Sequence, residues 1–138
     1  MRAITIWQPW ASLIADGLKT IETRKHDRFK SLLGQQIAIH AAKSYSQHYL
    51  MALGNYVDTV TLFKYIPERL PFGCVLATAE VVAHRELNDG DSSRALCSCA
   101  TPPAFLGYKI YGLFLEDIKK FDEPIPAKGQ QGIWIWQE

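Results

Sequence analysis

Hydrophobic and polar positions alternate with a period of two over most of the ordered-looking stretches of this chain, and follow a helical period over only a few. Arg2 to Ile6 alternates and carries Ile4 and Ile6, which predicts a first strand. Pro9 suits the first turn of a helix, where its missing N–H costs nothing, and Trp10, Leu13 and Ile14 then share a face. A short helix from about Pro9 to Asp16 follows, closed by Gly17, because glycine enters the left-handed region without a steric penalty. A strand then begins at or just after Lys19. Its alternation puts Thr20, Glu22 and Arg24 on one face and Lys19, Ile21 and Thr23 on the other. Glu22 and Arg24 are therefore expected side by side, with Lys19 at the rim. A solvated edge strand with a surface ion pair of little energetic value accounts for the same residues as well as a polar site does.

Gly34-Gln35 turns the chain into Gln36 to Ala41, a third strand with Ile37 and Ile39 on one face and Ala38 and His40 on the other. Small residues beside an imidazole leave room for a ligand, although a histidine hydrogen-bonded inside the fold has the same pattern. Ser44 is placed to cap a helix reaching Leu53, stopped by Gly54. Tyr56 to Ile66 fits either class. Cys74 to Arg85 is the longest predicted strand, with Cys74, Leu76, Thr78, Glu80, Val82 and His84 on one face and Val75, Ala77, Ala79, Val81 and Ala83 on the other. Glu80 stands out, since a carboxylate within a buried strand must be paired, hydrogen-bonded or turned to water. Lys19 or Arg24 could partner it. Glu86 to Phe105 changes to Asn, Asp, Gly, Ser, Cys and Pro and reads as a long irregular excursion. Tyr108 to Ile118 resumes alternation, kinked at Gly112. Pro124 and Pro126 punctuate the approach to a glycine loop, Lys128 to Gly132, and Ile133 to Trp136 closes as a strand.

These elements fit one domain over residues 1–138, of α+β class and mainly β, with 48% hydrophobic residues to supply its core. No apolar run approaches a membrane span and the N-terminus enters a strand directly, so a soluble cytoplasmic protein is expected, with no membrane partner. Cys97 and Cys99 are one residue apart, unlike zinc or thioredoxin-like pairs, and with Cys74 they read as reduced thiols. His26, His40, His48 and His84 lack ligand spacing, so no metal site is expected. A net charge of +1 argues against coating long nucleic acid by charge alone. Lys19 to Lys30 nevertheless holds five basic residues against two acidic ones, a local patch able to meet phosphate.

Five motifs in chain order carry a resemblance: Trp7-Gln8-Pro9-Trp10; Gly17-x-Lys19-x-x-Glu22-x-Arg24; Ile39-His40-Ala41; Gly73 leading into the long strand; and Lys128-Gly129-x-Gln131-Gly132-x-Trp134. In these the chain resembles the ASCH family of the PUA-like superfamily over nearly its whole length. The resemblance implies a small, mostly antiparallel β-barrel with flanking helices, and a cleft lined by the Gly-x-Lys-x-x-Glu-x-Arg motif. No cofactor is expected. Many relatives are regarded as RNA-binding modules, and one branch resembles an amidohydrolase that removes the acyl group of N4-acetylcytidine with a lysine, a threonine and a glutamate. Carried over, that lysine falls on Lys19 and its strand glutamate on Glu80, while its threonine falls where this chain has Glu22. Catalytic candidates under this reading are Lys19, Glu22 and Glu80.

Two functions follow as expectations. In a binding module for RNA or a modified nucleoside or nucleotide, Trp7, Trp10 or Trp134 stacks a base, Arg24 and Lys43 hold phosphate, and Glu22 reads an exocyclic amine. Pro9, His40, Lys128 and Gln131 complete the candidate ligand contacts. In an amidohydrolase, a carboxylate activates water while a desolvated Lys19 or a backbone N–H stabilises the oxyanion. An interaction domain is the third option, with its apolar patch in Tyr56 to Ile66.

Overall fold

The computed structural model describes residues 1–47, 53–96 and 106–137. Strands β1 (Arg2–Gln8), β2 (Ile21–Arg24), β3 (Gln36–Tyr45), β4 (Cys74–Glu86), β5 (Tyr111–Pro126) and β6 (Ile133–Ile135) form one sheet in the order β2-β5-β4-β3-β1-β6. Every neighbouring pair is antiparallel except β1 and β3, which run parallel with Thr5 opposite His40. The sheet curls into a half-barrel, the mainly β architecture expected from the alternating pattern. Its curl has a local cause. Register shifts interrupt β4–β5 pairing at three places, and Asp117 takes a positive φ of 48° beside one of them; bulges of this kind bend a strand and tighten its twist.

Helix α1 (Trp10–Ala15) packs Ala11, Ile14 and Ala15 into the main core with Ile4, Ile6, Ile37, Ile39, Leu76, Ala77, Ala79, Val81, Leu113 and Leu115. Among the described residues, short helices α2 (Thr59–Phe63), capped by the Asp58 carboxylate accepting from Thr61 N–H at 2.6 Å, and α3 (Ser92–Ala95) also occur. The ambiguous Tyr56 to Ile66 segment is thus partly helical, with Val60 and Phe63 exposed. No helix among the described residues is long and apolar enough to cross a membrane.

Three expectations are corrected. The strand containing His40 does not stop at Ala41: Gln8 pairs with Tyr45, so Ser44 is a strand residue and not a helix cap. Residues 48–52 of that expected helix lie outside the described residues, as do 97–105 of the irregular excursion and with them Cys97 and Cys99. The last long strand begins at Tyr111 and continues through Pro124 and Pro126. Prolines are tolerated there because β2 pairs only with Tyr111 to Phe114, which leaves the distal half of β5 with one unpaired edge where a missing N–H costs no ladder bond. Gly112 also has a different role. A Cβ there would lie 2.5 Å from Leu87 Cδ2 and 2.8 Å from Ile21 Cγ2, so close packing, and not a kink, requires glycine.

Candidate functional site

Where α1 ends, Gly17 takes φ +80° and the N–H groups of both Leu18 and Lys19 donate to Leu13 O. That turn swings Lys19 inward before β2 begins. Its side chain is only 2% exposed, and its ammonium donates to Ala95 O at 2.5 Å while sitting 5.1 Å from the Trp10 ring centroid. The rim position expected from strand alternation is therefore wrong, because Lys19 belongs to the link and not to the strand. Burial draws the Lys19 pKa down from 10.5 to about 8; the Glu22 charge opposes this and the Arg24 charge adds to it.

Glu22 and Arg24 lie two apart on β2 and do share a face. The Glu22 carboxylate is buried, with Oε1 accepting from Thr23 N–H at 3.0 Å and Oε2 paired with Arg24 Nη2 at 3.1 Å. The same Nη2 donates to Thr5 O at 3.1 Å, and the guanidinium lies 4.9 Å from the Phe29 ring centroid. Arg24 is thus tied to β1 as well as to its own strand. Its Nε is buried and has no partner among the described residues.

The back of the site is aromatic and uncharged. His40 is 2% exposed and its Nε2–H donates to Ala127 O at 2.7 Å, which fixes the tautomer and leaves Nδ1 as an acceptor, buried and unpartnered among the described residues. Burial lowers the His40 pKa against the pull of that hydrogen bond, so the ring is neutral at pH 7. Gly129 covers it: a Cβ at 129 would run into His40 Cε1 and lie 2.6 Å from Nδ1 and 2.7 Å from Thr5 Oγ1. The first glycine of the closing loop is there because only a bare Cα fits. Lys43 comes from the far half of β3, where its aliphatic stem lies over Gly73 and a Cβ at 73 would be 3.2 Å from Lys43 Cε.

Together these groups line a cleft of about 1000 Å³. Nine of the expected residues reach it: Lys19, Glu22, Trp7, Trp10, Arg24, His40, Lys43, Lys128 and Gln131. Trp7 stands 55% exposed at its mouth. Three do not reach it. Pro9 caps α1. Trp134 is buried behind the wall, its indole N–H donating to Thr5 Oγ1 at 3.0 Å and its ring meeting His40 edge-on at 5.4 Å, so it braces the site and has no face free for a base. Glu80 is exposed on β4 between Gln36 and Glu116 and turns to water, so it satisfies its charge without Lys19 or Arg24. Lys25 and Arg28 of the basic run reach the cleft as well, and Thr5, Phe29 and Ser46 also line it and were not anticipated. Phe29 lies within the basic run without being part of its charge, and the only signal for Thr5 was its alternation with Ile4 and Ile6.

A curled, mostly antiparallel sheet with a cleft over the end of its first helix is a fold of the PUA-like class. The ASCH domain model matches residues 4–124, and the chain belongs to the ASCH domain family. Among solved structures, the ASCH protein of Zymomonas mobilis matches with TM-score 0.61 at 16% identity, over 99% of this chain and 87% of that one. A serine-to-alanine variant of that protein matches with TM-score 0.59 at 16% identity, over 99% and 88% of the two chains. A tyrosine-to-phenylalanine variant gives 0.57 at 17%, over 99% and 90%. Identities this low speak for the fold alone. No curated protein matches the chain in sequence.

Proposed function

We propose that the cleft binds RNA or a nucleotide, taking one nucleotide with its base toward Trp7 and Trp10 and its phosphate among the basic side chains. One observation carries this reading. Lys19, Arg24, Lys25, Arg28, Lys43 and Lys128 line the cleft against the single carboxylate of Glu22, in a chain whose net charge is only +1. A local excess of cations in a concave site focuses the field on a small anion without making the whole surface adhere to polyanions. The Glu22 carboxylate, already holding Arg24, accepts from an exocyclic amine of the base. Arg24 Nε supplies a directed donor for phosphate.

Titration of the protein with cytidine monophosphate and with a short single-stranded RNA, at several salt concentrations, tests this. Binding should weaken with salt, and Lys43→Gln or Lys128→Gln should each reduce the salt slope by about one phosphate contact. Absence of binding at low salt, or slopes that both variants leave untouched, refutes the reading.

A second reading has its own support, the pKa of about 8 at Lys19 beside a buried carboxylate. In it the cleft hydrolyses an acylated nucleoside: Glu22 takes a proton from water as the oxygen adds to the acyl carbon, Lys19 holds the oxyanion, and Glu22 returns the proton to the nitrogen as the C–N bond breaks and the amine leaves. Incubation with N4-acetylcytidine and mass spectrometry of the products decides it: cytidine and acetate from wild type but not from Lys19→Met.

A further inference from the structure

We propose that the basic cleft continues into a track for single-stranded RNA, formed by Lys25, Tyr108, Tyr111 and His84, which holds the nucleotides flanking the one in the cleft. This rests on the nucleotide-binding reading above and extends it to residues outside the cleft. Strand register establishes the continuity. Glu22 pairs with Leu113 and Arg24 with Tyr111 across β2 and β5, and Leu113 pairs in turn with His84 on β4. Directly opposite residues of antiparallel strands project from the same face, so Tyr111 and His84 extend the face that carries Glu22 and Arg24. Lys25 carries the surface round the β2 edge of the sheet: it lines the cleft, and its ammonium lies 4.6 Å from the ring centroid of Tyr108, which packs with Ile21 and Phe114 on the other face.

The chemistry of this surface, which turns round the β2 edge of the sheet, suits flat rings joined by phosphates. Tyr111 and His84 hold their rings parallel within 3° at a centroid separation of 5.8 Å, and both remain partly exposed, as does Tyr108. Burial lowers the His84 pKa, which leaves its ring uncharged at neutral pH. Aromatic rings along a basic groove bind successive unpaired bases with little regard to sequence. Glu86 and Asp27 on this surface each face a lysine, Lys109 at 3.7 Å and Lys30 at 3.6 Å, so neither opposes a backbone phosphate alone. A duplex would present no open base faces to these rings, and the chain's charge of +1 would give it little purchase.

The test compares cytidine monophosphate with an eight-nucleotide single-stranded RNA, by calorimetry, on the full chain and on Tyr108→Leu/Tyr111→Leu. Leucine keeps the apolar contact that Tyr108 makes with the Ile21, Leu87 and Ile110 cluster and removes the stacking face. Wild type should bind the oligomer more tightly than the mononucleotide, and the variant should lose about five- to a hundredfold in oligomer affinity with the mononucleotide unchanged. If the double variant does not fold, Tyr108→Leu alone should give the same selective loss to a smaller degree. Equal wild-type affinity for both probes overturns the track and leaves the cleft reading standing. So does an equal loss of both probes in a folded variant. Failure of wild type to bind either probe overturns the cleft reading and the track with it.

Discussion

Replacing Lys19 by methionine measures what it costs the fold to keep an ammonium group away from water. The folded-state pKa of about 8 compares with 10.5 for a free lysine, and at about 1.4 kcal/mol per pH unit the gap corresponds to roughly 3 kcal/mol. Because the folded value is the lower one, the unfolded chain binds the proton more tightly between pH 8 and 10.5. Stability therefore rises with pH through that window, and the penalty is at its full value below pH 8. Other groups work in the opposite direction. Burial raises the pKa values of the Cys74 thiol and the Tyr45 and Tyr65 phenols, so above about pH 9 and 10 the unfolded chain loses those protons first and stability falls. Those contributions are common to wild type and variant and cancel in their difference. Methionine also leaves Ala95 O without its donor, a constant cost of about 1–3 kcal/mol that offsets part of the gain at pH 7. The expected result concerns the change in the difference and not its absolute value. Relative to Lys19→Met, wild type should gain about 1 kcal/mol from pH 7 to 9 and about 2.5 kcal/mol from pH 7 to 10. Urea unfolding at pH 7, 8, 9 and 10, followed by tryptophan fluorescence, reads it. A pH-independent difference would show that Lys19 titrates as a solvated lysine and would refute the account of its burial.

Two further outcomes are expected. Gly129→Ala should displace the closing loop from His40 and Thr5, at an overpacking cost of about 1–3 kcal/mol, and expose the His40 imidazole; a midpoint of thermal unfolding and a His40 ring resonance both unchanged from wild type would contradict the packing described. Glu80→Gln should alter stability by no more than about 0.5 kcal/mol and leave ligand affinity and any deacylation untouched, so a loss of either function on titration or product assay would return Glu80 to the site.

Most of the strand plan was legible because period-two alternation is a local property of each segment, and the neighbouring placement of Glu22 and Arg24 follows from it directly. Lys19 was misplaced for the complementary reason: it precedes the first strand residue, in a link directed by the hydrogen bonds to Leu13 O, where no periodicity applies. Glu80 illustrates a different gap. Both faces of its strand read as apolar, and which of them meets water at position 80 depends on the curl of the sheet and on Gln36 and Glu116 lying opposite. Trp134 shows a third. Its place in a strand was readable, but its role behind His40 depends on the parallel pairing of β1 with β3, a contact between distant segments that leaves no local trace. Gly129 and Gly112 were both visible as glycines, while the side chains that require them come from three other strands and a loop.

The order in which β1 acquires its neighbours bears on when the site comes into existence. β1 lies between β3 and β6, and the hydrogen bonds that shape the cleft join Thr5 to residue 24, His40 to residue 127 and Thr5 to residue 134. Such separations place the cleft among the most non-local parts of the molecule, and contacts of that kind form late because their loop-closure entropy must be met first. A growing chain that has emitted the whole basic run and the long β4 still has no back wall to its cleft. Trp134 and the loop before it convert a collection of positive charges into a shaped cavity, so during synthesis this protein acquires its charge well before it acquires the cavity that arranges it.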